Sequence, residues 1–231
     1  PRISNFDDLD PLKLEPGVEL VMVPPGRPIP AEAAIVVLPG SKATIADLAA
    51  LRAEGWDIDI LAHHRRGGLI VGLCGGFQML GRRISDPLGL EGEPSDVAGL
   101  GLLDVETALS PGKRLRAVRG AALGAAIDGY EMHIGESNGP GSARPFATLE
   151  DRTTDGAISA SGTVMGSYLH GLFASADLRR ALLGRIGVTA SGRDYHADVD
   201  AALDEMAAEL ARHVNADSLL TLAGAGEGRS T

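Results

Sequence analysis

The strongest pattern in the chain is an unbroken apolar run, Leu69-Ile70-Val71, which passes through Gly72-Leu73-Cys74-Gly75-Gly76 into Phe77-Gln78-Met79-Leu80. A short apolar run closed by glycines and resumed by helix formers predicts a buried strand, a sharp turn and a helix over about 75–83. Residues 33–38 form a second apolar run that ends on Pro39-Gly40, and 19–23 a shorter strand candidate. Ile45, Leu48 and Leu51 recur at helical spacing after Ser41 and Thr44, either of which could cap a helix reaching about Glu54. Strands that alternate with such helices predict βαβ units and a parallel sheet. Ligands gather at the carboxyl ends of parallel strands, where both Pro39-Gly40-Ser41 and Cys74 fall.

Beyond residue 99 the text changes. Short alternating segments at 101–107, 113–120, 130–135, 146–150 and 157–168, broken by Gly, Asn, Asp and Pro, predict antiparallel strands that extend the sheet. Residues 86–99 read as a surface loop, 175–186 as a capped helix, and 198–214 as an amphipathic helix with Leu203, Met206, Ala207 and Leu210 on one face. The opening 17 residues, with three prolines and little periodicity, read as an extended loop. Residues 223–231, AGAGEGRST, read as a disordered tail, so one domain is expected over 1–222.

With 231 residues, 44% of them hydrophobic, the chain is long enough for one sizeable core, and aromatic content of 3% means that Ala, Val, Leu and Ile must build it. Lys and Arg number 21 against 31 Asp and Glu, and the resulting charge of −10 argues against nucleic acid and anionic membranes as partners. No stretch approaches the ~18 apolar residues of a membrane span and no signal-peptide pattern opens the chain, so the cytoplasm is the expected location. A first residue of Pro1 in place of Met suggests a fragment or a processed product.

The single cysteine excludes an intrachain disulfide and stands at the centre of G-x-C-x-G, the cysteine counterpart of a nucleophile elbow. A thiol of pKa ~8.5 needs a partner to be mostly thiolate at neutral pH, and histidine is the usual one. His170 ends a predicted strand and is followed at once by Gly171, the same kind of address as Cys74. His63 and His64 lack a third ligand nearby, so no metal site is expected. His133 lies among polar neighbours on a predicted strand. The glycine turn at Gly40 could aim backbone N–H groups at an oxyanion. Ser41-Lys42 lacks the leading glycine of a phosphate loop, so ATP binding within the chain is not expected.

GLCGGFQMLG resembles the nucleophile segment of class I glutamine amidotransferases, G-x-C-x-G-x-Q. Taken with PRISNFDDLDPL, LPGSKATIADL, GLCGGFQMLGRRISDPLGLEG, GYEMHIGES and GSYLHGLF, it is similar to the carboxy-terminal amidotransferase domain of the cobyric acid synthase family. The resemblance implies an α/β, flavodoxin-like fold: a mostly parallel central sheet with helices on both faces and an antiparallel extension. It implies L-glutamine as substrate, Cys74 as nucleophile, His170 as catalytic histidine, Gly40 and Gly75 as oxyanion donors, and Gln78, Ser41 and His133 near the substrate. It further implies that an amino-terminal synthetase domain, absent from this chain, uses ATP and magnesium to amidate corrinoid carboxylates in cobalamin biosynthesis. Most class I members carry a glutamate two residues after the histidine, where this chain has Leu172. Glu131 and Glu136 are then the candidates to orient the imidazole. The alternatives are a stand-alone subunit of another ligase, a cysteine hydrolase on the same fold, and a non-catalytic interaction module.

Overall fold

A computed structural model describes residues 3–112 and 114–225; Lys113 and the final residues of the expected tail lie outside the described residues. The chain divides at Gly192 into two compact units, 1–192 and 193–231.

The first unit does not open with an extended loop. A two-residue strand β1 (Ile3–Ser4), a 3₁₀ turn (Phe6–Leu9) and a single helical turn α1 (Asp10–Lys13) fold inward and bury Leu9 and Leu12. Pro11 fits because the first helical turn has no use for its missing N–H. Next come β2 (Ile35–Leu38), β3 (Gly40–Ser41), α2 (Thr44–Ala53), α3 (Trp56–Arg65), β4 (Leu69–Leu73) and α4 (Gly75–Leu80). Residues 19–23 are coil with Val21 and Met22 half exposed, and Pro24 and Pro25 follow directly.

The loop expected over 86–99 is partly a strand pair, β5 (Arg83–Asp86) with β6 (Ser95–Ala98). Strands follow with shifted ends: β7 (Glu106–Ala108), β8 (Arg114–Ala122), β9 (Ala125–His133), β10 (Glu136–Asn138), β11 (Ala147–Leu149), β12 (Thr154–Asp155) and β13 (Ala157–Ile158). They are mostly antiparallel as expected, but β7 pairs parallel with β5, and all except β13 belong to two further sheets and do not extend the central one. Strands β14 (Val164–Ser167) and β15 (Leu169–His170) and helix α5 (Ala176–Gly184), capped by the Ser175 hydroxyl, complete the unit.

The central sheet runs β13-β14-β4-β2, with β2, β4 and β14 parallel and β13 antiparallel at its edge. Its side chains alternate between two cores, as the period of two requires. Ile70, Val36, Leu38 and Val164 pack with α2, α3 and α4, whereas Leu69, Val71, Leu73 and Met165 pack with α5 and the sheet β12-β11-β8-β9-β15. Both faces of β4 are therefore buried, which is why its sequence is a continuous apolar run without alternation. Helix α4 sits tightly on the sheet, since a Cβ on Gly76 would lie 2.0 Å from the Leu38 carbonyl oxygen.

The second unit consists of α6 (Tyr195–His213), capped by Asp194, and α7 (Ala216–Ala225), which takes in the first residues of the expected tail. Helix α6 buries none of its residues. No helix among the described residues is long and apolar enough to cross a membrane.

One buried ion pair closes the first unit. Glu15, 1% exposed by its side chain, meets Arg179 Nε at 2.5 Å and accepts from the Ser191 amide at 2.6 Å, while Arg179 Nη1 donates to the Phe173 and Ala174 carbonyls. Removing one partner of such a pair strands the other charge away from water, at a cost of roughly 3–5 kcal/mol. Glu15→Ala is expected to lower the unfolding free energy by about that much, read as a lower denaturant midpoint, and a midpoint that stays put would show that water reaches Arg179.

Candidate active site

Cys74 stands between β4 and α4 at φ 50°, ψ −110°, a conformation that a residue with a Cβ adopts only where its surroundings force it. Two main-chain bonds supply the force: the Cys74 amide donates to the Ser167 carbonyl at 2.8 Å and the Gln78 amide to the Cys74 carbonyl at 3.1 Å. The glycines predicted to permit the turn do so by close approach, with a Cβ on Gly72 falling 2.7 Å from the Gly76 carbonyl oxygen. The thiol is buried, and its Sγ donates to the Met132 carbonyl at 3.5 Å.

His170 arrives on β15, paired with Glu131 and Tyr130 of β9, and its ring stacks on Tyr130 at 5.1 Å between centroids. Its Nδ1 lies 2.6 Å from Asp8 Oδ2, and the other oxygen of Asp8 accepts the Gly171 amide at 2.8 Å. Both side chains are almost wholly excluded from water. Since a carboxylate only accepts, Nδ1 carries the proton and Nε2 faces the other way, buried and without a hydrogen bond. Burial opposes charge on this ring, yet the Asp8 hydrogen bond, the adjacent Cys74 and the attraction of both outweigh it and push the pKa up to about 9. Thiol, imidazole and carboxylate thus meet in one buried cluster.

The carboxylate is the residue that sequence reasoning missed. Of the two candidates, Glu131 is hydrogen-bonded to Arg116 and sits 3.5 Å from His133, and Glu136 pairs with Arg114 at 2.7 Å, so neither orients His170. Asp8 lies 162 residues upstream in the segment read as a loop. The only signal was the SNFDD string itself, an acidic pair beside Asn5, whose Nδ2 donates to the Tyr130 hydroxyl at 2.6 Å.

The remaining predicted residues surround the elbow. Gly40 lies opposite Ser4 in the β1–β3 pair, and β3 runs so close to the turn that a Cβ on Gly75 would be 3.0 Å from the Ser41 nitrogen. Gly75 is the first residue of α4, so its N–H has no acceptor within the helix. The Ser41 hydroxyl is committed to structure, donating to Asp47 at 2.6 Å and accepting from the Ala43 amide at 3.0 Å. Gln78 is buried and held at both ends: Thr44 Oγ1 donates to Oε1, and Nε2 donates to the Ile134 carbonyl and the Tyr168 hydroxyl. One lone pair on Oε1 is what it has left to offer.

His133 stacks on Tyr168 with centroids 3.8 Å apart. Its Nδ1 meets the Gly135 carbonyl at 3.0 Å, and burial lowers its pKa despite the opposing pull of Glu131. The ring is therefore neutral, and its buried Nε2 makes no hydrogen bond. By contrast, His63 is a packing residue, with Nε2 3.0 Å from the Leu69 carbonyl and its ring filling the space beside Gly68.

Solved amidotransferases share this arrangement of elements. The structure of PurLQS from Thermotoga maritima superposes with a TM-score of 0.55 at 19% identity, covering 74% of this chain and 83% of that one. A crystal structure of a glutamine amidotransferase superposes at 0.51 and 18% identity, covering 73% of this chain and 86% of its own. At such identities the likeness establishes the fold, that of a class I glutamine amidotransferase. Sequence carries it further: residues 1–178 match the CobB/CobQ-like glutamine amidotransferase domain, and the chain belongs to that family. Cobyric acid synthases of Rhizorhabdus wittichii and Sphingopyxis alaskensis are 74% identical over 226 residues and 68% identical over 223, covering 98% and 96% of this chain. The chain spans about half the length of these curated relatives, 47% and 46%.

The raised pKa of His170 fixes the sign of a measurable linkage. A native pKa of about 9 against an ordinary 6.5 means that the pair's contribution to stability is complete below about 6.5 and is lost as pH rises through about 9. In Asp8→Asn that decline should flatten and the imidazole should titrate lower by NMR; an unmoved His170 titration would show that Asp8 does not carry the shift.

Proposed function

We propose that this chain is the glutamine-hydrolysing part of a cobyric acid synthase, supplying ammonia for ATP-dependent amidation of corrinoid carboxylates by a synthetase half. The observation that carries the glutaminase reading is the convergence of Cys74, His170 and Asp8 in one buried cluster at the carboxyl ends of β4 and β14. The corrinoid and the synthetase half rest on the relatives' names and on their length, about twice that of this chain. ATP and magnesium are assigned to that other half, because no phosphate loop is present in this sequence.

In the reaction, the Cys74 thiolate attacks the side-chain carbonyl carbon of glutamine, forming a C–S bond and moving the carbonyl electron pair onto oxygen. The N–H groups of Gly40 and Gly75 donate to that oxyanion; a donor of this kind is typically worth ~10²–10³ in rate. As the intermediate collapses the C–N bond breaks, and His170 Nε2 passes its proton to the departing nitrogen, which leaves as ammonia. His170 then takes a proton from water, the hydroxide equivalent displaces sulfur, and glutamate departs with the thiolate restored. Asp8 holds the ring with Nε2 toward the reacting atoms.

Gln78 meets the substrate as an acceptor, since its Oε1 has a spare lone pair, and His133, whose Nε2 lies 3.5 Å from Glu131 Oε1, borders the substrate with its ring. The ammonium or carboxamide protons of glutamine are suited to the Gln78 lone pair. Ser41 contributes through its main chain, its hydroxyl being committed to Asp47 and Ala43.

A glutamine-mimicking electrophile should label Cys74 alone, and Cys74→Ala should abolish hydrolysis of glutamine while the full-length protein still accepts ammonium as nitrogen donor. Adduct on any other residue, or undiminished glutamine hydrolysis, overturns the assignment. Asp8→Asn should lower kcat by about 10²- to 10⁴-fold with little change in KM, the signature of an orienting group.

A further inference from the structure

The two reacting side chains sit on different elements, and their spacing has to be set by something that bonds to both elements. Ser167, the last residue of β14, does so. Its carbonyl accepts the Cys74 amide at 2.8 Å, and its hydroxyl oxygen accepts the Leu169 amide at 3.1 Å, one residue before His170. The same hydroxyl donates to Asp155 Oδ2, which also accepts the Tyr168 amide at 3.1 Å. Asp155 therefore collects donors from the two residues that lead into β15. Its own main chain is fixed in turn, with its carbonyl accepting the Phe146 amide at 2.9 Å.

The neighbourhood leaves little play. Ser167 and Asp155 are buried, at 1% and 7% exposure. Gly156, at φ +71°, presses against β14 so closely that a Cβ there would lie 2.0 Å from the Gly166 carbonyl oxygen. Among the described residues no cation makes a hydrogen bond to Asp155, and Glu131 of β9 and Arg116 of β8 act on it with opposite sign. Burying a carboxylate without a direct cationic partner is costly, and packing alone does not require a charge.

From this geometry we infer that Asp155 and Ser167 form a positioning pair that sets the distance between Cys74 and His170, an inference that rests on the glutaminase reading above. Neither residue touches the substrate. The carboxylate locks the Ser167 hydroxyl, the hydroxyl locks the turn that delivers His170, and the Ser167 carbonyl locks the elbow that delivers Cys74. Burial raises the Asp155 pKa to about 6 against the pull of the Ser167 and Tyr168 hydrogen bonds, so the lock is charged at neutral pH and loosens as pH falls below that value.

The test compares Asp155→Ala, Asp155→Asn and Ser167→Ala in the intact protein. It follows kcat and KM for glutamine, the rate of Cys74 alkylation by iodoacetamide at neutral pH, and the melting temperature. Asp155→Ala and Ser167→Ala should each lower kcat by about 10²-fold, the scale of an ångström-sized misplacement. KM should stay near its original value and Cys74 alkylation should slow. Combining the two changes should cost no more than either alone. Asp155→Asn, whose oxygen can still accept both donors, should recover most of the alkylation rate and lose the part of the decline in kcat that protonation of Asp155 is expected to cause in the unaltered protein below about pH 6.

Unchanged kcat and alkylation in Asp155→Ala overturn the inference. So does an Asn variant that is as slow as the Ala variant with losses that follow the melting temperature, which would mark a packing role. If Asp155→Ala does not fold, Ser167→Ala decides alone, and an unchanged kcat and alkylation rate in that variant overturn the inference. Should the unaltered protein hydrolyse no glutamine, the glutaminase reading fails on that result, while the alkylation series still decides the positioning role.

Discussion

The contact between the Asp8 carboxylate and the His170 imidazole, made where water does not reach, dictates how the start of the chain must fold. An unpaired charge in that position would be costly, and pairing keeps the imidazole ionised where burial alone would neutralise it. The opening segment is consequently bound to the far end of its unit twice over, by Asp8 to His170 and by Glu15 to Arg179. Strand β1 adds a third attachment through its pairing with Gly40 and Ser41. Residues that read as an extended loop by composition are thus part of the candidate active site. Buried pairs of this kind contribute little net stability, but they penalise every arrangement in which the partners are apart. They specify a register.

The elbow depends on that specification. Holding Cys74 at positive φ costs about 1–3 kcal/mol, so the surrounding contacts must over-determine it. Leu38 against Gly76, Gly76 against Gly72, and Phe77 against Gly166 leave no space for added Cβ atoms, and each contact joins α4 to a different strand of the central sheet. A sheet buried on both faces is a rigid support for such a turn. Strain is stored where the nucleophile is displayed, and the tight packing that stores it also fixes where the sulfur points.

These local relations were legible in the sequence. A continuous apolar run, symmetric glycines and a histidine at a strand end report on neighbours within a few residues, and β4, Cys74 and His170 followed from them. The network around Asp8 was not legible, because a contact across 162 residues leaves no periodic trace and the segment's three prolines mimic a loop. Glu131 and Glu136 misled for a related reason. Their strands do approach the site, yet Arg116 and Arg114 on the neighbouring strand β8 claim both carboxylates. Residues 19–23 have the composition of a strand, but pairing is a tertiary event that side-chain pattern alone does not secure. Gln78 and Ser41 were recognisable by position only, and which of their atoms remain free depends on Thr44, Ile134 and Asp47.

In the proposed reaction one ring must act first as acid and then as base, and the geometry supplies the change. The proximity of Cys74 is among the causes that raise the His170 pKa, whereas the Asp8 contact is present throughout. While the sulfur is a thiolate, the imidazole keeps its proton and has one to give to departing ammonia. Acylation removes the negative charge from sulfur, and with it that part of the shift. The pKa of the same ring then falls at the step where it must accept a proton from water. Hydrolysis of the thioester restores the thiolate and the original preference. Asp8, bonded to Nδ1 on the far side of the ring, keeps Nε2 aimed at the reacting atoms in both states, so the proton inventory changes without a rotation of the side chain.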